Sequence, residues 1–513
     1  RQWPLIVFLH GYVGSITVLD PWVLGPEVCE IADENGFLLL IPYGRRNTDF
    51  QGVGEVDVLA STAEVRDLFS VDPDRVCISG VSMGGMGAWN MALRHPGRYA
   101  AAAPIAGHTD MHRWWPRLLR DWPASRDDLA PFRRFLVEWD NPVDLVMNAR
   151  NQPIFVQHGE NDRLIPAAQS RRLVEAAAER GISIRYHEFE GKGHHIYWET
   201  ECFRKAWSWL RNRERELSPR RVTYKTYSLE YDRAFWCRIG DFLRWGEPAI
   251  LDCRVTEDGS GLEVESSNVG SLLVDLETVP LRASAAGGVP VTVNGRRTTV
   301  PPAGGRLRIR CGPVPASSPG WPPRKRHGLC GPVEEVFDNA FLLVPGTRGA
   351  EETDERLRAR VETWADEWDR FADGRPRVEA DVAVTDEQIA RNNLVLFGTP
   401  ATNAVLARIA DRLPITIGDH RYEVAGSVYE GPDLGLVFCY PNPLAPDRYI
   451  AVYAGEPYGE KCGINHKHDL IPDFLVFNTR VFNYDDTNQH EVAGYFGMDW
   501  GLADRLTWVR EGR

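Results

Sequence analysis

An α/β architecture is what this sequence predicts: a doubly wound sheet over residues 1–215, a small antiparallel β-sandwich over 222–312, and a third, α/β domain over 331–513. Three observations carry the expectation. Short apolar runs alternate with helix-periodic segments through the first 215 residues. After a charged stretch, 213–221 (RERELSPRR), closely spaced alternating segments take over. After a second break at 313–330, rich in Pro, Gly and Ser, the strand–helix alternation returns. A length of 513 residues suits about three domains at roughly 150 residues each.

In the first domain, residues 4–9 (PLIVFL) and 37–41 (FLLLI) read as buried parallel strands, each closed by a Gly-bearing turn. Helical spacing runs over 27–35, stopped by Gly36, and over 55–69, stopped before Asp72-Pro73. Further strands are expected at 75–79, 100–105, 153–157 and 182–187, with helices at 85–95, 166–180 and 199–212. The sandwich is read from segments such as AILDCRV, GLEVESS, SLLVDL and RLRIRC, separated by turn residues. The third domain is read from FLLVP at 341–345, a helix over 351–371, NLVLFGTP at 393–400, a helix near 402–412, then LGLVFCYPNP and RYIAVYAG. No internal repeat is evident.

Composition excludes several classes. Apolar residues at 43% and charged residues at 26% are ordinary globular usage, which argues against disorder, collagen-like repetition and coiled coil. A net charge of -13 gives no general attraction to nucleic acid or anionic membrane. The nine cysteines show no CxxC pair, so neither a zinc site nor a dense disulfide framework is expected, although one or two bridges are compatible with the count. No run of about 18 uncharged apolar residues occurs, and a soluble protein is expected. The sequence starts at Arg1 with no visible signal peptide; a secreted or periplasmic location is the expectation.

The sharpest motif is Gly80-Val81-Ser82-Met83-Gly84-Gly85, which follows a strand and opens an apolar helix, as a G-x-S-x-G elbow requires. Small neighbours let a serine on a strand-to-helix turn adopt strained geometry, and the helix start aims N–H groups at a developing oxyanion. Ser82 is the candidate nucleophile. A serine hydroxyl needs a base, and the base an orienting carboxylate. Asp162, in the turn after the strand PIFVQ, and His194, in the Gly191-Lys192-Gly193-His194-His195 turn after the next strand, supply them in the order nucleophile, acid, base. All three lie beyond carboxyl ends of strands, where open α/β sheets place their sites. Asp162 also reads as a helix N-cap. Glu160 and His195 are the competitors; the Gly-x-Gly-His spacing favours His194, and Glu160 sits closer to the strand end.

The run PLIVFLHG, the block VDPDRVCISGVSMGGMGAW, the segment FVQHGENDRLIP and the turn GKGHH together resemble α/β-hydrolase serine esterases. The group in question joins polyhydroxybutyrate-depolymerase-like and feruloyl-type esterases to the prolyl oligopeptidase catalytic domain. The resemblance covers about the first 215 residues and implies Ser82 as nucleophile, Asp162 as acid and His194 as base. It also implies an oxyanion hole from the backbone N–H groups of Tyr12, in the loop after the first strand, and Met83. His10 in that loop reads as structural. The sheet of that family has strands before PLIVFLHG that are not seen here, and no propeller is found downstream.

What this reading predicts is a serine hydrolase that cleaves carboxylic esters, such as feruloyl or acetyl esters of polysaccharides, through an acyl-enzyme. Its expected partner is that small-molecule or polysaccharide-linked substrate, with no nucleic acid, membrane, metal or organic cofactor. A short-peptide hydrolase and a non-catalytic binding scaffold are the alternatives. Between the strand AAAAPI and the acid turn, a Trp- and Arg-rich insertion reads as a cap whose Trp114 and Trp115 either wall the substrate or pack the insertion. Trp236 and Trp245 read as buried packing rather than a carbohydrate platform. The turn Gly398–Asn403 has the place of an anion site but lacks Lys and GxGxxG, and His466-Lys467-His468-Asp469 is a weak metal-ligand pattern.

Overall fold

A computed structural model describes residues 2–14, 22–118, 122–123, 125–282, 287–313, 320–458, 470–480 and 490–511. The chain divides into two compact units: residues 1–111, 138–243 and 247–314 form the first, and residues 112–137, 244–246 and 315–513 the second.

The first unit begins with a six-stranded, fully parallel sheet of order β2-β1-β3-β4-β5-β6. Its strands are β1 (Trp3–Leu9), β2 (Leu38–Leu40), β3 (Val71–Val81), β4 (Ala102–Ile105), β5 (Phe155–Gly159) and β6 (Arg185–Phe189). The helices that alternate with them are α1 (Pro26–Asn35), α2 (Val53–Leu68) and α3 (Met83–Arg94), then, beyond α4 (Met111–Leu118) and α5 (Pro131–Trp139), α6 (Ala168–Ala178) and α7 (Thr200–Leu210). Leu5 to Leu9 are fully buried, as a strand covered on both faces must be. One core cluster packs Phe8, Ile31, Phe203 and Trp207 on one side of the sheet. All twelve residues of α3 are buried, because it is covered by the sheet on one side and by neighbouring segments on the other.

The same unit holds two five-stranded sheets. Their strands are β7 (Arg221–Thr226), β8 (Arg233–Ala234), β9 (Cys237–Phe242), β10 (Ala249–Val255), β11 (Leu262–Ser267), β12 (Val269–Asp275), β13 (Val289–Val293), β14 (Arg296–Val300), β15 (Pro302–Ala303) and β16 (Arg306–Arg310). One sheet has the order β14-β13-β11-β10-β7 and the other β15-β16-β12-β9-β8. The expectation of purely antiparallel strands is corrected at one pair: β11 and β13 run parallel, joined by a crossover through the other sheet. Among the described residues no cysteine forms a disulfide. Asn148 ties this sandwich to the parallel sheet's helices, donating to the carbonyls of Leu93 (2.8 Å) and Lys225 (2.9 Å).

The second unit contains a mixed eight-stranded sheet of order β18-β17-β19-β24-β23-β25-β26-β27 and a small three-stranded sheet, β20-β21-β22. The eight are β17 (Phe341–Pro345), β18 (Arg377–Val378), β19 (Asn393–Phe397), β23 (Leu434–Asn442), β24 (Ala445–Gly455), β25 (Phe474–Asn478), β26 (His490–Gly494) and β27 (Thr507–Val509); the three are β20 (Thr416–Ile417), β21 (Arg421–Val424) and β22 (Ser427–Glu430). Helices α8 (Glu351–Ala372), α9 (Asp386–Arg391) and α10 (Ala404–Ile409) connect the parallel part.

The contact pattern groups the sandwich with the parallel sheet in one unit and divides the expected first domain. Residues 112–137 cluster with the second unit. The reason is aromatic packing: Phe132 meets His490 (5.5 Å) and Trp508 (5.7 Å), and Phe135 meets Tyr495 (5.0 Å). Among the described residues no helix is long and apolar enough to cross a membrane.

Candidate active site

The site is built on three turns at the carboxyl ends of β3, β5 and β6. At the first, Ser82 adopts φ 56° and ψ -117°, a conformation that costs a non-glycine residue about 1–3 kcal/mol. It is held from both sides, its N–H donating to the Ile105 carbonyl (2.9 Å) and its carbonyl accepting from Met86 N (3.1 Å). The flanking glycines are dictated by contact. A Cβ on Gly80 would lie 2.2 Å from the Gly84 carbonyl oxygen, and one on Gly84 2.1 Å from that of Leu9.

The second and third turns are laced together. Asn161 N donates to Lys192 O (2.8 Å), Glu160 N to Phe189 O (3.0 Å), and the Glu160 carboxylate accepts from Gly191 N (2.8 Å). Glu160 therefore anchors the histidine turn. Asp162 meets the histidine: His194 Nδ1 lies 2.7 Å from Asp162 Oδ2, and His194 Nε2 lies 2.9 Å from Ser82 Oγ. A carboxylate only accepts, so Nδ1 carries the hydrogen and Nε2 is left to accept from the serine hydroxyl. Burial works to raise the Asp162 carboxyl, but hydrogen bonds from His158 and His194 and the charge of His194 overcome it and hold the group well below the usual carboxylate range. Asp162 also closes its own turn, since its Oδ1 accepts from Leu164 N (2.9 Å) and Ile165 N (2.8 Å), while α6 begins later, at Ala168, with no side-chain cap. The expected helix N-cap at Asp162 is therefore corrected: its side chain orders a turn that precedes α6.

His195 turns away from the acid. Its Nδ1 lies 2.8 Å from the Tyr197 hydroxyl and its ring stacks on Trp198 at 3.9 Å. Met83 opens α3, so its N–H is one of the first-turn donors without an intrahelical acceptor. Tyr12 follows Gly11, whose would-be Cβ stands 3.6 Å from Ser82 Cβ. Asn47 clamps the next residue, accepting from Val13 N (3.1 Å) and donating to Val13 O (3.0 Å). His10 is buried beneath this loop, with ring nitrogens 2.8 Å from Gly11 O and 3.1 Å from Tyr43 O; burial lowers its pKa against these two hydrogen bonds.

Sequence reasoning missed His158. It is fully buried, with Nε2 3.2 Å from Asp162 Oδ2 and Nδ1 2.8 Å from Ser170 Oγ. Its position at the end of β5, four residues before the acid, was visible, but nothing local distinguishes an inward histidine from an outward one. Trp114 and Trp115 lie in the second unit and are buried, Trp115 with its ring 4.7 Å from that of Trp122. Trp236 is buried and donates to Pro219 O (2.8 Å); Trp245 is buried within the second unit, with Lys325 Nζ 4.1 Å from its ring. Asn403 caps the six-residue α10, accepting from Val405 N and Leu406 N, so that turn serves its own helix. The 466–469 pattern lies outside the described residues, and among those described no cluster of metal-ligating side chains occurs.

A serine, an imidazole and an ionised carboxylate in this line can move the serine proton to Nε2 while the carboxylate steadies the imidazolium. Residues 47–213 match the profile of the prolyl oligopeptidase family. The parallel-sheet domain is an α/β-hydrolase. Over this domain the chain is similar to serine hydrolases of the esterase and prolyl oligopeptidase kind. The chain is 33% identical over 125 residues to an uncharacterized secreted protein of Arthroderma benhamiae, covering 24% of this chain and 13% of that one. It is 27% identical over 193 residues to the esterase YjfP of Escherichia coli, covering 35% of this chain and 76% of the esterase. It is 24% identical over 210 residues to dipeptidyl-peptidase 5 of Porphyromonas gingivalis, covering 36% of this chain and 29% of the peptidase. The chain thus spans most of the esterase's length but less than a third of the other two.

Proposed function

We propose that the α/β-hydrolase domain hydrolyses carboxylic esters through an acyl-enzyme, with Ser82 as nucleophile, His194 as general base and acid, and Asp162 as the orienting carboxylate. The observation that carries this reading is the continuous hydrogen-bonded line from Ser82 Oγ through His194 to Asp162 Oδ2, at 2.9 and 2.7 Å. His194 Nε2 takes the serine proton as Oγ attacks the ester carbon. The oxyanion is stabilised by the N–H groups of Met83 and Tyr12, and the protonated imidazole returns its proton to the leaving alcohol. Water, activated by the same nitrogen, then releases the acid and restores Ser82. No step calls for a metal or organic cofactor. The substrate class we favour is an acetyl or feruloyl ester carried by a polysaccharide.

A fluorophosphonate probe and the p-nitrophenyl esters of acetate and butyrate test the reading. Labelling and turnover in the wild type, both lost in Ser82→Ala, are the expected result; an unlabelled, folded wild type would point to a binding scaffold. A second reading, hydrolysis of short peptides, is favoured by the prolyl oligopeptidase match and by the similarity to dipeptidyl-peptidase 5. Amide and ester cleavage share the same intermediates, so aminoacyl and dipeptidyl p-nitroanilides assayed beside the esters decide between the two.

A further inference from the structure

Trp198 is 74% exposed, more than any other large apolar side chain among the described residues. Its ring is not loose. It lies parallel to the His195 imidazole, 3.9 Å between centroids with 3° between planes, and His195 is tied to the Tyr197 hydroxyl at 2.8 Å. Tyr197 in turn meets the His194 ring edge-on at 5.9 Å. A chain of ring contacts therefore fixes an open indole face at a set distance from the candidate catalytic base. Tyr12 and Leu164, on the loops after β1 and after Asp162, are likewise 64% and 54% exposed.

The chemistry of the base says which part of a substrate meets Trp198. A general acid must reach the leaving oxygen within hydrogen-bond distance, so the alcohol half of the ester lies on the His194 side of the site. The exposure says what kind of alcohol. A purely aromatic or aliphatic group gains most from complete enclosure, whereas a sugar ring offers one apolar face of C–H groups and keeps its hydroxyls in water. Glu199, the residue after Trp198, forms an exposed ion pair with Lys192 at 2.9 Å, with donors and acceptors of the kind ring hydroxyls use. We propose that Trp198, backed by His195, is the stacking platform for a sugar ring in the alcohol part of the ester. The proposal rests on the triad reading above and deepens it.

The test compares 6-O-acetyl methyl glucoside with ethyl acetate, two acetates of primary alcohols, on wild type, Trp198→Ala and Trp198→Phe. KM for the sugar acetate should rise roughly fivefold in Trp198→Ala with kcat unchanged, return most of the way in Trp198→Phe, and stay unchanged for ethyl acetate. Equal losses on both esters would mean a structural role and overturn the platform. So would a larger loss on benzyl acetate than on the sugar acetate, or fluorophosphonate labelling of Ser82 without turnover of the sugar acetate. Absence of labelling in folded wild type would overturn the triad reading, and the platform with it.

Discussion

Asp162 shows how much one side chain can be asked to do. One oxygen caps the turn through Leu164 and Ile165, while the other meets both His194 and His158. Replacing it by Asn keeps the shape but removes the charge and puts an N–H₂ group into a network of donors. Asp162→Asn should therefore lower ester turnover by about 10⁴-fold at neutral pH while the protein stays folded, as circular dichroism beside the kinetics would register. The carboxyl's depressed pKa also carries a sign for stability. Its contribution is complete above the unfolded carboxyl pKa and is lost as pH falls through the lower folded value, so Asp162→Asn should flatten the acid limb of the stability curve.

The β3–α3 elbow is set by how closely three backbones approach. A Cβ on Gly84 would stand 2.1 Å from the Leu9 carbonyl, a backbone atom in the fully buried stretch of β1 that has nowhere to go. Gly84→Ala should cost about 3 kcal/mol or more, read as a fall in the urea midpoint or as failure to fold. The glycines of the histidine turn divide differently. Gly191 has φ 71°, the left-handed region, whereas Gly193 has an ordinary φ and open space where its Cβ would be. Gly193→Ala should stay within about 0.5 kcal/mol of the wild type in the same measurement. The Gly-x-Gly-His pattern marked the turn without separating the two glycines, since a sequence shows neither dihedral nor clearance.

At the scale of the first unit, the α/β-hydrolase and the sandwich share buried polar groups. Glu55 on α2 accepts from Arg94 on α3 (3.0 Å) and from the Tyr231 hydroxyl of the sandwich (3.1 Å), and meets His95 Nε2 at 2.6 Å. Burial alone would raise the Glu55 carboxyl, but the charges and hydrogen bonds of His95 and Arg94 take it from 4.5 down to about 2. The stabilisation, on the order of 3 kcal/mol, is complete above pH 4.5 and fades as pH falls toward 2. Glu55→Gln should be less stable than wild type at pH 7, because the buried Arg94 keeps Asp140 but loses one of its two carboxylates, and the difference should shrink in acid. Thermal melts from pH 7 to pH 3 read both slopes; a gap that does not narrow would exclude Glu55 as the titrating group.

Local signals determined the strand–helix order of the α/β-hydrolase domain and the turns that carry Ser82, Asp162 and His194. Apolar runs, Gly stops and the glycine-framed serine are properties of near neighbours, and neighbours are what a sequence displays. Only the tertiary structure decided what happens across the sheet. It put His194 rather than His195 against Asp162, and left Glu160 on Gly191 N, because the β5 and β6 turns are hydrogen-bonded to each other in one register. It brought His158 onto the acid, packed residues 112–137 with the second unit, and set β11 parallel to β13. Each of these depends on which residues, distant along the chain, share one buried space.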